Sequence, residues 1–157
     1  MKILKGIQEN KLRSKSAVIV GVFDGVHTGH LALIKLAKRK AAEIGGKSVL
    51  VTFSGHPDRY FSINTELKLI KKHSHNLEII KRHGIDICVV LDISKVSKMK
   101  AEDFVKKILV EKLNMKSIIA GSDFVFGRGG LGGVKLLKSM SKELGFNVTV
   151  VADKKVQ

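Results

Sequence analysis

Two imidazoles three positions apart, His27 and His30, stand in the stretch Gly21-Val-Phe-Asp-Gly-Val-His-Thr-Gly-His30. An apolar strand that runs into glycines and then into a helix at about Thr28 to His30 would aim unpaired backbone N–H groups beyond the strand end. The positive end of the helix dipole would point the same way. Phosphate binds readily in such a place. Gly29, between the histidines, keeps a side chain out of the path of an approaching phosphate, and the imidazoles add donors. Fixed donors of this kind can meet charge developing in a transition state without any nucleophilic side chain. Blander readings stay open, since histidines at a helix start also serve as caps or surface residues. As half of a zinc site the pair lacks the His-Glu-x-x-His pattern and a third nearby ligand, so no metal site is expected.

Hydrophobic periodicity supplies the elements that would hold these residues. Ala17 to Val22 is a continuous apolar run, as suits a strand buried on both faces. Gly29 to Ile44 carries Leu33, Ile34, Ala37, Ala41 and Ile44 at helical spacing and stops at Gly45-Gly46. Further strands are expected at Ser48 to Phe53, Asp86 to Leu91, Ser117 to Gly121 and Asn147 to Val151. Helices are expected from Asn64 or Thr65 to about His83, from Ala101 to Leu113 and from Val134 to Leu144. Strict alternation implies crossover connections and a parallel sheet covered on both faces. The expected fold is therefore α/β, a doubly wound, Rossmann-like sheet of about five strands. Ligands of such sheets sit beyond the carboxyl ends of the strands, where strand order reverses. That directs attention to the segments after Val22, Phe53, Leu91 and Gly121.

Composition narrows the classes. The 157 residues are 44% hydrophobic and 27% charged, enough apolar material for one core and too much for disorder. No apolar run approaches the roughly 20 residues that span a bilayer. The opening ten residues carry three charges and no signal-peptide core, which predicts a cytoplasmic protein without a membrane partner. A single cysteine, Cys88, excludes an intrachain disulfide framework. The net charge of +15 suggests anionic partners, yet it is spread over the whole chain. It comes from 24 Lys against 5 Arg, whereas Arg is the favoured fork for bidentate base contacts. A solvated lysine-rich surface that favours small phosphorylated substrates fits better than nucleic-acid binding.

At Gly21-x-Phe23-Asp24-Gly25-Val26-His27-x-Gly29-His30 the chain resembles the first signature of the FMN adenylyltransferase module of bacterial FAD synthetases, within the His-x-Gly-His nucleotidyltransferases. Val51-Thr52-Phe53 followed by His56-Pro57 resembles that family's segment after the second strand. Gly121-x-Asp123-Phe124-x-Phe126-Gly127 resembles its segment after the fourth, and Glu102-Asp103-Phe104-Val105 matches a helix start between them. The resemblance runs from about Ala17 to Val151.

The resemblance implies an ATP-dependent nucleotidyltransferase that moves AMP from ATP to FMN, giving FAD and pyrophosphate with Mg²⁺ assisting. Carried over, His27 and His30 would act on the ATP phosphates, with Gly21, Phe23, Asp24, Gly25 and Gly29 bordering the nucleotide. Phe53, His56, Pro57, Asp123, Phe124, Phe126, Gly127 and Arg128 would frame the flavin or reach the nucleotide. Four stretches depart from the family pattern: Ser54-Gly55, Gly132-Gly133, His75-Asn76, and the end at Val156-Gln157. The resemblance implies beyond that point a Ser/Thr-rich segment closing in Arg and a riboflavin kinase domain, neither of which these 157 residues include. Residues 1–157 are thus expected to form a single nucleotidyltransferase domain, with a catalytically impaired flavin- or nucleotide-binding module as the alternative. Preference for CTP or for nicotinamide mononucleotide, as in neighbouring branches, is another.

One string competes. Gly127-Arg-Gly129-Gly130-Leu-Gly132 satisfies the dinucleotide-binding fingerprint Gly-x-Gly-x-x-Gly, with Asp153 downstream. It begins six residues past Gly121, whereas the fingerprint turns directly from strand to helix, so a mobile glycine-rich substrate loop is the better expectation. Phe104, Phe146 and Cys88 read as core, and His73 and His83 as exposed helix residues.

Overall fold

A computed structural model describes residues 1–6, 11–21, 28–54 and 77–152, and in it the apolar runs become strands. In chain order they are β1 (Lys2–Lys5), β2 (Ser16–Val20), β3 (Lys47–Ser54), β4 (Ile87–Asp92), β5 (Met115–Gly121), β6 (Val125–Phe126), β7 (Gly132–Gly133) and β8 (Asn147–Val151). The helices are α1 (Thr28–Ile44), α2 (described over 77–82), α3 (Ile93–Val96), α4 (Ala101–Asp103, continuing in wider turns over Phe104–Lys112) and α5 (Val134–Leu144). Six strands pair in parallel in the order β1-β4-β3-β2-β5-β8, while β6 and β7 form a separate antiparallel ribbon. The five expected strands are all present. The expected start of α2 at Asn64 or Thr65 lies outside the described residues.

Alternate residues of each central strand feed opposite faces, as the two-residue period of a strand requires. Ala17, Ile19, Leu50, Cys88 and Ile119 pack with Ile34, Ala37 and Ala41 of α1 and Ile80 of α2. Val18, Val49, Val51, Val89, Leu91 and Ile118 pack with Phe104, Val105 and Leu109 of α4 and Leu137 of α5. The sheet is covered on both sides, the doubly wound arrangement. Among the described residues no helix is long and apolar enough to cross a membrane.

The wide turns of α4 follow from its side chains. An α-helical stripe through Ala101 and Val105 would continue to Ile108 and Lys112, turning a lysine toward the sheet. With i→i+5 bonding each turn takes up roughly one more residue. Leu109 and Leu113 are buried instead, at 1% exposure each, and the Leu113 N–H donates to Ile108 O at 3.0 Å.

Among the described residues, one buried side-chain oxygen has no partner. Ser117 on β5 is 1% exposed and its Oγ makes no hydrogen bond. Because a buried, unsatisfied hydroxyl costs about 1–3 kcal/mol, Ser117→Ala is expected to raise stability by about 1 kcal/mol in urea denaturation. A loss of stability would mean that the hydroxyl is bonded in solution.

Candidate active site

Strand order sets the place. From β2 the chain steps outward through β3 to β4, then returns across the sheet to β5 on the other side of β2. The reversal point is therefore the gap between the carboxyl ends of β2 and β5, where open α/β sheets form a crevice. On the β2 side, Gly21 extends the ladder by donating its N–H to Val51 O at 3.0 Å. The chain re-enters regular structure as α1 at Thr28, which places exposed Gly29 and half-buried His30 in the first helical turn. That turn holds no acidic side chain of its own to offset the positive end of the dipole.

On the β5 side the backbone turns sharply. Ser122 N–H donates to Val151 O at 3.0 Å and Phe124 N–H to Gly121 O at 3.1 Å, leaving Asp123 exposed. The ribbon β6–β7 follows. Phe124 stacks on Phe126 with ring centroids 5.2 Å apart, and Phe126 meets Phe104 at 5.8 Å. Phe126 is only 8% exposed, so its ring belongs to the core and supports Phe124, which is half-buried. Phe53, near the carboxyl end of β3, is also half-buried and packs against the α4 side.

Between β6 and β7 the glycine string forms a short 3-10 turn at Arg128–Gly130 and reaches α5 only after β7. It does not turn directly from a strand of the main sheet into a helix, so the dinucleotide fingerprint lacks its geometry. The base of the loop is pinned: Arg128 N–H donates to Met99 O at 2.8 Å, while the Arg128 side chain is exposed. Gly127 adopts φ 79° and ψ 179°, a conformation essentially restricted to glycine. Phe23, Asp24, Gly25, His27, His56 and Pro57 lie outside the described residues, as does His73. Of the expected core residues, Phe104 and Cys88 are fully buried and Phe146 is 5% exposed. Burial pushes the Cys88 thiol up to about 11, which leaves it inert. His83 is half-buried rather than exposed, because its Nδ1 lies 2.8 Å from Ile79 O on its own helix.

The segment after Leu91, one of the four singled out by the strand ends, holds a carboxylate that the sequence analysis did not name. Asp92 caps α3: its Oδ1 accepts from Ser94 Oγ at 2.7 Å and from Ser94 N–H at 2.9 Å. The Asp-x-Ser spacing, with Ile93 and Val96 three residues apart, was the available signal. The hydroxyl bond first, then the backbone bond, hold the carboxyl below its ordinary value. A depressed folded-state value means the cap contributes above the unfolded-state value near 3.9 and fades as pH falls through the folded one. An NMR titration of the Asp92 carboxyl carbon should have its midpoint below that of an unstructured aspartate, and Ser94→Ala, which removes the hydroxyl bond but keeps the backbone one, should raise it part of the way.

Comparison with known proteins accounts for this arrangement. A family model described as FAD synthetase matches residues 9–157. The bifunctional riboflavin kinase/FMN adenylyltransferase of Buchnera aphidicola subsp. Schizaphis graminum is 33% identical over 154 residues, covering 97% of this chain and 49% of the relative. The protein of that name from Escherichia coli K12 is 28% identical over 153 residues, 95% of this chain and 49% of its own. That from Listeria monocytogenes is 33% identical over 134 residues, 84% of this chain and 42% of its own. The chain thus spans about half the length of these relatives. A solved structure titled as a macrolide-efflux protein from Streptococcus pneumoniae superposes with a TM-score of 0.76 at 22% identity, covering 100% of this chain and 52% of the other. At that identity the likeness is one of fold alone. With a family model spanning nearly its whole length and a Rossmann-like sheet beneath the matched motifs, the chain belongs to the FAD synthetase family.

Proposed function

We propose that this chain, as a single nucleotidyltransferase module in the cytoplasm, transfers AMP from ATP to FMN to give FAD and pyrophosphate. The observation that carries the reading is the start of α1, with Gly29 and His30 in its first turn, beside the reversal point of the sheet. A phosphate oxygen of FMN forms a bond to the α-phosphorus of ATP as the bond to the bridging β-phosphate oxygen breaks. Pyrophosphate departs with that electron pair. The attacking phosphate is already anionic, so no general base is needed, and the protein contributes position and fixed donors. His30, with His27, hydrogen-bonds the ATP phosphates and holds the developing charge; Gly21, Phe23, Asp24 and Gly25 border the nucleotide. Phe53, His56, Pro57, Asp123, Phe124, Gly127 and Arg128 frame the flavin, with Phe126 supporting Phe124 from below. Mg²⁺ would be carried in by the ATP phosphates and would offset their charge.

The test is incubation with ATP, Mg²⁺ and FMN, followed by assay of FAD and pyrophosphate. Stoichiometric formation of both is expected. Binding of ATP and FMN without turnover would instead identify a catalytically impaired module. Preference for CTP, or for nicotinamide mononucleotide as acceptor, would overturn the flavin assignment.

A further inference from the structure

The glycine ribbon rests on a single methyl group. A Cβ placed on Gly127 would stand 2.7 Å from both Cα and Cβ of Ala101 and 2.9 Å from its backbone nitrogen. A Cβ on Gly132 would stand 2.7 Å from Ala101 Cβ and 2.7 Å from the Phe126 ring. Ala101 is 4% exposed and opens α4, whose N-cap residue Lys100 makes no side-chain capping bond. Both ends of the β6–β7 loop therefore close over the start of α4, and the Arg128–Met99 backbone bond fixes them there. A larger side chain at position 101 that enters the space toward Gly127 and Gly132 meets their backbone, which cannot rotate aside as a side chain can.

Building on the FMN adenylyltransfer reading above, we propose that Ala101 is a positioning residue for the acceptor: its methyl sets the height of the Gly127–Gly132 loop and, through Phe126, the ring of Phe124. The effect is confined to one substrate by the fold. Ala101 and α4 cover one face of the sheet, whereas α1, which carries the proposed ATP-phosphate donors, covers the other.

The test is steady-state kinetics of FAD formation by the whole chain carrying Ala101→Val. KM for FMN should rise about tenfold, with kcat and KM for ATP within about twofold, the pattern of lost uniform binding to one substrate. Ala101→Ser, which adds one atom, should move KM for FMN the same way by a smaller factor, and it carries the test if the valine variant does not fold. A purely structural role would lower the melting temperature of the variants and leave KM for FMN alone. A folded Ala101→Val, or Ala101→Ser where valine does not fold, with unchanged KM for FMN overturns the proposal. If the unmodified protein binds FMN but forms no FAD, the transfer reading fails by itself, and the comparison is made on Kd for FMN by flavin fluorescence quenching. If it binds no FMN, both fall.

Discussion

Replacing His30 with alanine is expected to lower kcat for FAD formation about 10²-fold while KM for ATP changes only a few-fold, the scale of deleting one fixed transition-state donor. His30 is half-buried in the first turn of α1, so a regular helix fixes its backbone before substrate arrives. Charge on the transferring phosphoryl group shifts toward the leaving pyrophosphate as the reaction proceeds. A donor already in place strengthens its bond at that moment without reorganising. Ground-state binding is shared with the backbone N–H groups of the helix start, which the substitution keeps. Loss therefore falls on kcat. His30→Asn, which retains an N–H donor, should recover part of the rate, and circular dichroism should show α1 unchanged in both variants. An unaltered kcat in His30→Ala would remove the residue from the mechanism. A raised KM for ATP at constant kcat would reduce it to ordinary binding.

Much of this geometry was legible because the signals were local. The run at residues 17–20 and those at 49–51 and 118–120 are apolar on both strand faces, which only a doubly covered sheet satisfies. Helix α1 could be bounded from its periodic leucines and alanines and from Gly45-Gly46. Gly46 N–H indeed donates back to Ala41 O at 2.8 Å, ending the helix. Strand β1 escaped notice because Lys-Ile-Leu-Lys is too short to establish a period, and it is an edge strand paired only with β4. The wide winding of α4 was hidden for a different reason. Ile108, Leu109 and Val110 are consecutive and apolar, so periodicity alone cannot say which faces inward. Only the competition between Lys112 and Leu113 for the sheet side decides it.

The phenylalanines mark the limit of such reading. Phe124 and Phe126 are two residues apart in one motif and chemically alike, so both could equally face a flavin or the core. Long-range packing separates them. Phe126 is drawn inward because Gly127, Gly132 and Ala101 leave backbone-close space beside Phe104, and Phe124 then lies on top. That requirement joins residues some 25 positions apart in the chain and is invisible to a window of a dozen.

Phe104→Ala follows from the same packing and is expected to cost about 3–5 kcal/mol, the range for deleting a buried aromatic ring. Phe104 is fully buried, joins the sheet to α4, and supports Phe126 from beneath. Its surroundings cannot collapse into the vacated volume. The sheet on one side is rigid, and on the other Gly127 and Gly132 already sit against Ala101 with no slack. A domain of this size has roughly 5–15 kcal/mol in hand, so the variant should remain folded at 25 °C with a reduced margin. At about 2–4 °C per kcal/mol, the melting temperature should fall by about 6–20 °C. Urea denaturation should show the midpoint moving down with little change in m, because the native fold is retained and only its stability drops. The functional consequence is separable by temperature. Well below the melting transition, Phe104→Ala should bind FMN more weakly than ATP is affected, since the cavity lies under Phe126 and not under α1. A stability loss below about 1 kcal/mol would mean that the ring does not occupy the closed space described, and the path from α4 through Phe126 to Phe124 would have to be abandoned.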